Sequence, residues 1–138
     1  PGAVALRGTV RALDPELREM AEARIRNLVT ATAAAFGAEA EIDYARGYPV
    51  TMNSPDQTDF AADMAEAVSG RVDREAAPVL AAEDFAYMLE ARPGAYIMLG
   101  NGVDRPAVHH PEYDFNDDAI PAGCSWFAEL VERRMPVA

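Results

Sequence analysis

The sequence predicts a mixed α/β fold, on three observations. Residues 3–13 alternate in strand fashion, residues 15–36 carry a long helical pattern that gives way to period two at Ala38, and Ala95 to Leu99 form a continuous apolar run between two glycines. In the first segment Val4, Leu6, Gly8, Val10 and Ala12 fall on one side and Ala5, Arg7, Thr9 and Arg11 on the other, which predicts a strand with one buried face. Asp14-Pro15-Glu16 then supplies an N-cap, a proline at the first helical position and an early acid. Leu17, Ala21, Ile25, Leu28 and Phe36 recur at helical spacing until Gly37 closes the segment, so a helix is expected over about 15–36. Ala38, Ala40, Ile42 and Tyr44 alternate with Glu39, Glu41 and Asp43, completing a β-α-β unit over residues 3–46. One helix cannot cover both faces of a two-stranded sheet, so further strands or a partner are implied.

Gly47-Tyr48-Pro49 breaks this pattern and sets an expected domain boundary near residue 48, between residues 1–48 and 49–138. Ser54-Pro55-Asp56-Gln57 reads as a capping box, followed by Phe60, Met64 and Val68 as the buried stripe of a helix ending at Gly70. Residues 71–80 are ambiguous and are read as ending in a short strand at Pro78-Val79-Leu80. Glu83 to Ala91 is expected to be a short helix stopped by Pro93-Gly94, and Ala95 to Leu99 a central strand buried on both faces. Asn116-Asp117-Asp118 opens a last helix with Ile120, Cys124, Phe127 and Val131 as its apolar stripe. Pro121 is tolerated there, since the first amides of a helix have no internal partner.

Twelve Lys and Arg against 23 Asp and Glu give a formal charge of −11, which would repel nucleic acid backbones and anionic membranes. No apolar run approaches the ~20 residues that span a bilayer, and no basic-then-apolar leader opens the chain, so a cytoplasmic protein is expected. Cys124 is the sole cysteine, which excludes an intrachain disulfide and a Cys-x-x-Cys motif. It is read as a core residue, because no basic group is placed to activate it. The opening Pro1-Gly2-Ala3-Val4 runs from a turn dipeptide directly into the first predicted strand, which reads either as a cut inside a folded unit or as ordinary processing.

Chemistry is expected first at His109 and His110, which lie in the loop after the apolar run 95–99. Neighbouring side chains on an extended backbone point apart, so at most one of them should ligate a given metal ion. The bland alternative is a histidine that caps the loop or stacks on Tyr113. Glu83 and Asp84 read either as helix-capping acids or as carboxylates orienting a histidine. Arg11, at the end of Gly8-Thr9-Val10-Arg11, reads either as a solvated strand residue or as a two-pronged partner for a substrate carboxylate.

An ordered set of motifs then carries a resemblance over essentially the whole chain. Pro1-Gly2-Ala3-Val4, Gly8-Thr9-Val10-Arg11, Phe36-Gly37-Ala38, Tyr44-x-Arg46-Gly47-Tyr48-Pro49, Asn53, Ala82-Glu83-Asp84-Phe85, Leu99-Gly100 and His109-x-Pro111-x-Tyr113-Asp114-Phe115 follow in sequence. Together they resemble the hippurate hydrolase and indole-acetyl-amino-acid hydrolase group of metal-dependent amidohydrolases, relatives of aminoacylase and carboxypeptidase G. The resemblance implies that residues 1–48 are the second half of a lid and dimerisation domain and residues 49–138 the C-terminal part of a metallohydrolase catalytic domain. It further implies hydrolysis of the amide bond of N-acyl amino acids by a homodimeric whole protein, with a divalent ion (Zn, Mn, Ni or Co) as Lewis acid and source of the nucleophile. His109 falls on the family's metal-binding histidine and His110 on its variable neighbour. Arg11 falls on a lid position that would hold the substrate carboxylate, and Glu83 and Asp84 on a Glu-Asp-Phe motif in which Ala81 replaces the usual glycine. The family's Cys-Gly-His-Asp-x-His run, its Glu-Glu pair and a further histidine have no counterpart here, so the chain alone is expected to bind no metal and to be inactive, with no catalytic residue of its own. The competing expectation is a non-catalytic ligand-binding or oligomerisation module built on the β-α-β unit.

Overall fold

The structure, a computed structural model, describes residues 2–136, so Pro1 of the opening motif lies outside the described residues. Its regular elements are α1 (Pro15–Ala35), α2 (Pro55–Ser69), α3 (Phe85–Ala91), a 3-10 turn (Asp117–Ala119) and α4 (Ile120–Arg134). The chain divides into two compact units. One comprises the residues up to Thr51 with Pro78–Met88, and the other Met52–Ala77 with the residues from Leu89 onward.

The helices form where local chemistry dictates them. Asp14 caps α1, its carboxylate accepting from the amides of Glu16 at 2.7 Å and Leu17 at 3.1 Å. At the other end Gly37 takes φ +67°, and Gly37 and Ala38 donate to Ala34 O and Ala33 O, the paired bonds of a Schellman closure. Pro121 sits in the first turn of α4, where its missing amide proton costs nothing.

The mixed α/β expectation is overturned: among the described residues there is no strand. Residues 3–13, 38–46, 78–80 and 95–99 carry no sheet ladder, so the β-α-β unit over 3–46 does not form. A helix satisfies its amides within one segment, whereas a strand exists only where a second backbone runs alongside in register. Period-two patterning is necessary for that but cannot supply the partner, and Leu6 of the first expected strand is 94% exposed.

In the first unit side chains tie these irregular segments instead. Arg18 Nη2 donates to Gly47 O at 2.7 Å, Arg46 Nε to Glu22 Oε2 at 2.8 Å, and Arg26 stacks over Tyr44 at 5.6 Å from the ring centroid. The face of α1 turned to them is Arg18, Ala21, Glu22, Ile25 and Arg26, while Leu17, Leu28 and Phe36 of the expected stripe are exposed. Long polar side chains thus replace most of the apolar stripe as the packing contact.

In the second unit α2 packs on α4. Trp126 Nε1 donates to Ala61 O at 2.9 Å, and the Arg134 guanidinium lies 4.4 Å from the Phe60 centroid while donating to Gln57 Oε1 at 2.9 Å. Two further expectations are corrected here. Ile120, Cys124, Phe127 and Val131 are all exposed, so Cys124 is a surface thiol; the inward face runs through Gly123, Trp126 and Leu130, because the indole finds its hydrogen-bond acceptor on α2. The Ser54 hydroxyl makes no cap bond, nor does Gln57 close a capping box. Ser54 Oγ accepts from Gly94 N at 3.3 Å and Gln57 is taken by Arg134. The buried residues of α2 are Ala61 and Ala62, with Phe60, Met64 and Val68 half-buried.

Candidate functional site

Two consecutive turns build the histidine loop. His110 N donates to Ala107 O at 3.1 Å and Tyr113 N to His110 O at 2.9 Å. In the first turn His109 is the third residue and has φ +70°, and it is the one non-glycine residue at positive φ among those described. Since Val108 does not share that sign, this is the pattern of a type II turn, whose third position ordinarily takes Gly or Asn. The second turn places Pro111 at its second position, where the ring's fixed φ suits it.

The two imidazoles differ in their bonding. His110 Nδ1 accepts from Glu112 N at 3.1 Å, so its ring is spent on closing the turn. His109 is exposed and makes no such bond among the described residues. Its imidazole is therefore offered outward on a backbone held in a costly conformation.

The remaining expected residues are placed as follows. Arg11 donates from Nη1 to Leu80 O within the first unit, which uses one of the five guanidinium donors. Glu83 and Asp84 stand just before α3, not within it, and their carbonyls accept from Ala86 and Tyr87. Neither carboxylate is in an ion pair among the described residues. Arg11, Glu83 and Asp84 belong to the first unit and His109 to the second. No group of three or more His, Cys, Asp or Glu able to hold a metal ion is present among the described residues. One imidazole suits a divalent ion as a single ligand; it is not a ligand set.

Sequence reasoning missed Asn53 as a structural residue in its own right and missed Asn101 altogether. Each uses both ends of its carboxamide on another segment. Asn53 Nδ2 donates to Tyr96 O at 2.9 Å and its Oδ1 accepts from Tyr96 N at 2.8 Å. Asn101 does the same to Asp114 O and Asn116 N. The available signal was an asparagine shortly after the apolar run 95–99 and another just before the capping residues of α2.

The sequence matches the family model of Peptidase family M20/M25/M40 over residues 3–133. The chain belongs to that family. Among curated M20/M25/M40 relatives it is 33% identical over 132 residues to hippurate hydrolase of Campylobacter jejuni, covering 94% of this chain and 34% of the relative. It is 32% identical over 114 residues to thermostable carboxypeptidase 2 of Saccharolobus solfataricus, covering 82% and 28%. N-acetyl-L-cysteine deacetylase of Bacillus subtilis is 32% identical over 133 residues, covering 96% and 32%. The chain thus spans about a third of the length of the curated relatives it matches. No solved structure matches it. Membership places the chain in a family whose matched relatives are named as a hippurate hydrolase, carboxypeptidases and deacetylases, in line with the resemblance. Among the described residues no helix is long and apolar enough to cross a membrane.

Proposed function

We propose that this chain serves divalent-metal-dependent hydrolysis of the amide bond of small N-acyl amino acids of the hippurate type, with His109 as one metal ligand. The observation that carries the assignment is backbone strain at one residue. His109 alone among non-glycine residues described holds positive φ, at the tip of a turn, while its neighbour is committed to the backbone. Such strain persists only where the surroundings over-determine it, and it concentrates at functional positions. The names of the relatives, a hippurate hydrolase and a deacetylase among them, support amide hydrolysis as the reaction class.

A divalent ion held there would supply Lewis acidity and a nucleophile at neutral pH. The other ligands and the proton-shuttling carboxylate belong to protein beyond these 138 residues, so the isolated chain is inactive. Arg11 is assigned to the substrate carboxylate, and Glu83 and Asp84 to orienting a metal-binding histidine. Residues 1–48 act as lid and homodimer interface and residues 49–138 as catalytic domain.

Benzoate release from hippurate and bound metal, measured on the whole protein and on the 138-residue chain, test this reading. Activity is expected in the whole protein only, abolished by chelation and restored by Zn, Mn, Ni or Co. His109→Ala should lower metal affinity by about 10- to 100-fold or more. Unchanged metal occupancy and rate in His109→Ala would show the ligand assignment to be wrong.

A further inference from the structure

The loop that presents His109 leaves the chain at residue 101 and returns at residues 114–116, and a single side chain closes its base. Asn101 Nδ2 donates to Asp114 O at 3.0 Å, and Asn101 Oδ1 accepts from Asn116 N at 2.7 Å. A carboxamide carries donor and acceptor side by side in one plane, so bonding to the C=O of one residue and the N–H two residues on reproduces what a paired backbone would offer. Asn116 is itself committed to the helical segment that follows, since its Oδ1 accepts from Asp118 N at 3.2 Å. Asn101 therefore fastens the loop to the root of α4.

The other bonds in the loop cannot do this. The turns at Ala107–His110 and His110–Tyr113 are local and fix shape, not position. The Arg105 to Asp114 ion pair is long, at 3.6 Å, and largely exposed, which makes it weak. Positive φ at His109 needs a surrounding that holds it, and among the described residues the closure by Asn101 is the non-local hydrogen bonding that supplies one. We propose that Asn101 is the positioning residue for His109, closing the loop so that the imidazole is presented in one orientation. The proposal rests on the reading of His109 as a metal ligand.

Amide hydrogen exchange and titration with Co²⁺ alone, both on the whole protein, test it with three variants. Asn101→Ala should speed exchange at the amides of His110, Tyr113 and Asn116, leave α1 unchanged, and weaken Co²⁺ binding about 10- to 100-fold. Asn101→Asp keeps the acceptor for Asn116 N–H but replaces the donor by a carboxylate oxygen facing Asp114 O, so it should restore protection at Asn116 in part and recover part of the affinity. That partial rescue separates positioning from general loss of folding. If Asn101→Ala and Asn101→Asp bind Co²⁺ as the parent does while His109→Ala does not, the positioning proposal is overturned and the ligand reading stands. If His109→Ala also binds Co²⁺ normally, the ligand reading itself falls.

Discussion

In the left-handed region a Cβ crowds a neighbouring carbonyl oxygen, at a cost of roughly 1–2 kcal/mol that glycine escapes. His109 and Gly37 occupy that region with opposite consequences, the first as a strained side chain and the second as a free one. His109→Gly should therefore be more stable than His109→Ala by about 1 kcal/mol in denaturant midpoint, while both lose the imidazole. Equal stability would mean that the turn relaxes without the histidine. A Cβ at Gly37 would meet nothing within 4 Å, so Gly37→Ala isolates the conformational cost and should lose about 1 kcal/mol.

At the scale of elements, α1 is held to residues 44–47 by charge. The Glu22 carboxylate is kept below its ordinary pKa by hydrogen bonds from Arg26 and then Arg46, with burial opposing them. A depressed folded pKa means that the unfolded chain binds the proton more readily. The clamp therefore contributes fully above the unfolded glutamate value and fades as pH falls through the folded one. Glu22→Gln should lower stability above the glutamate range, where the clamp is present, and change it little at the lowest pH, so that the acid limb of a stability-against-pH curve flattens; an unaltered acid limb would remove the clamp from the account. On α4, Trp126 is turned to α2, while its neighbour Phe127, in edge contact with the indole at 4.8 Å between ring centroids, is largely in solvent. Trp126→Phe loses the bond to Ala61 O and should cost about 1 kcal/mol, whereas Phe127→Ser, at a side chain 65% exposed, should stay within about 0.5 kcal/mol. The reverse order, read by chemical denaturation, would restore the helix face expected from the stripe Ile120, Cys124, Phe127 and Val131.

Across the whole molecule, the buried apolar residues among those described are Ala61, Ala62, Ala86 and Ala119, and no large side chain is fully buried. Alanines bury little area each, and large side chains such as Leu6, Phe36, Val103 and Phe127 stay in solvent. The 138-residue chain is accordingly expected to bind a hydrophobic dye such as ANS in its folded state, with fluorescence that falls in the whole protein. Absence of dye binding would show that those side chains find cover in solution.

What the sequence determined by itself is what short range decides. The bounds of α1 follow from Asp14, Pro15 and Gly37, the start of α4 from Asn116 and Pro121, and family membership from ordered motifs running from Gly8-Thr9-Val10-Arg11 to His109. The tertiary structure decided what depends on a partner distant in sequence. Alternation at residues 3–13 and 38–46 could not say whether a second backbone lies alongside, and the apolar stripe of α4 could not say that Trp126 would find its acceptor on α2. Nor could adjacency tell His109 from His110. The family resemblance separated them, and the structure adds a turn that spends the His110 imidazole on Glu112 N and an Asn101 carboxamide that spans the loop's base. Helix and turn bonds close within a few residues, while sheet pairing, helix facing and loop closure join groups the sequence does not place together.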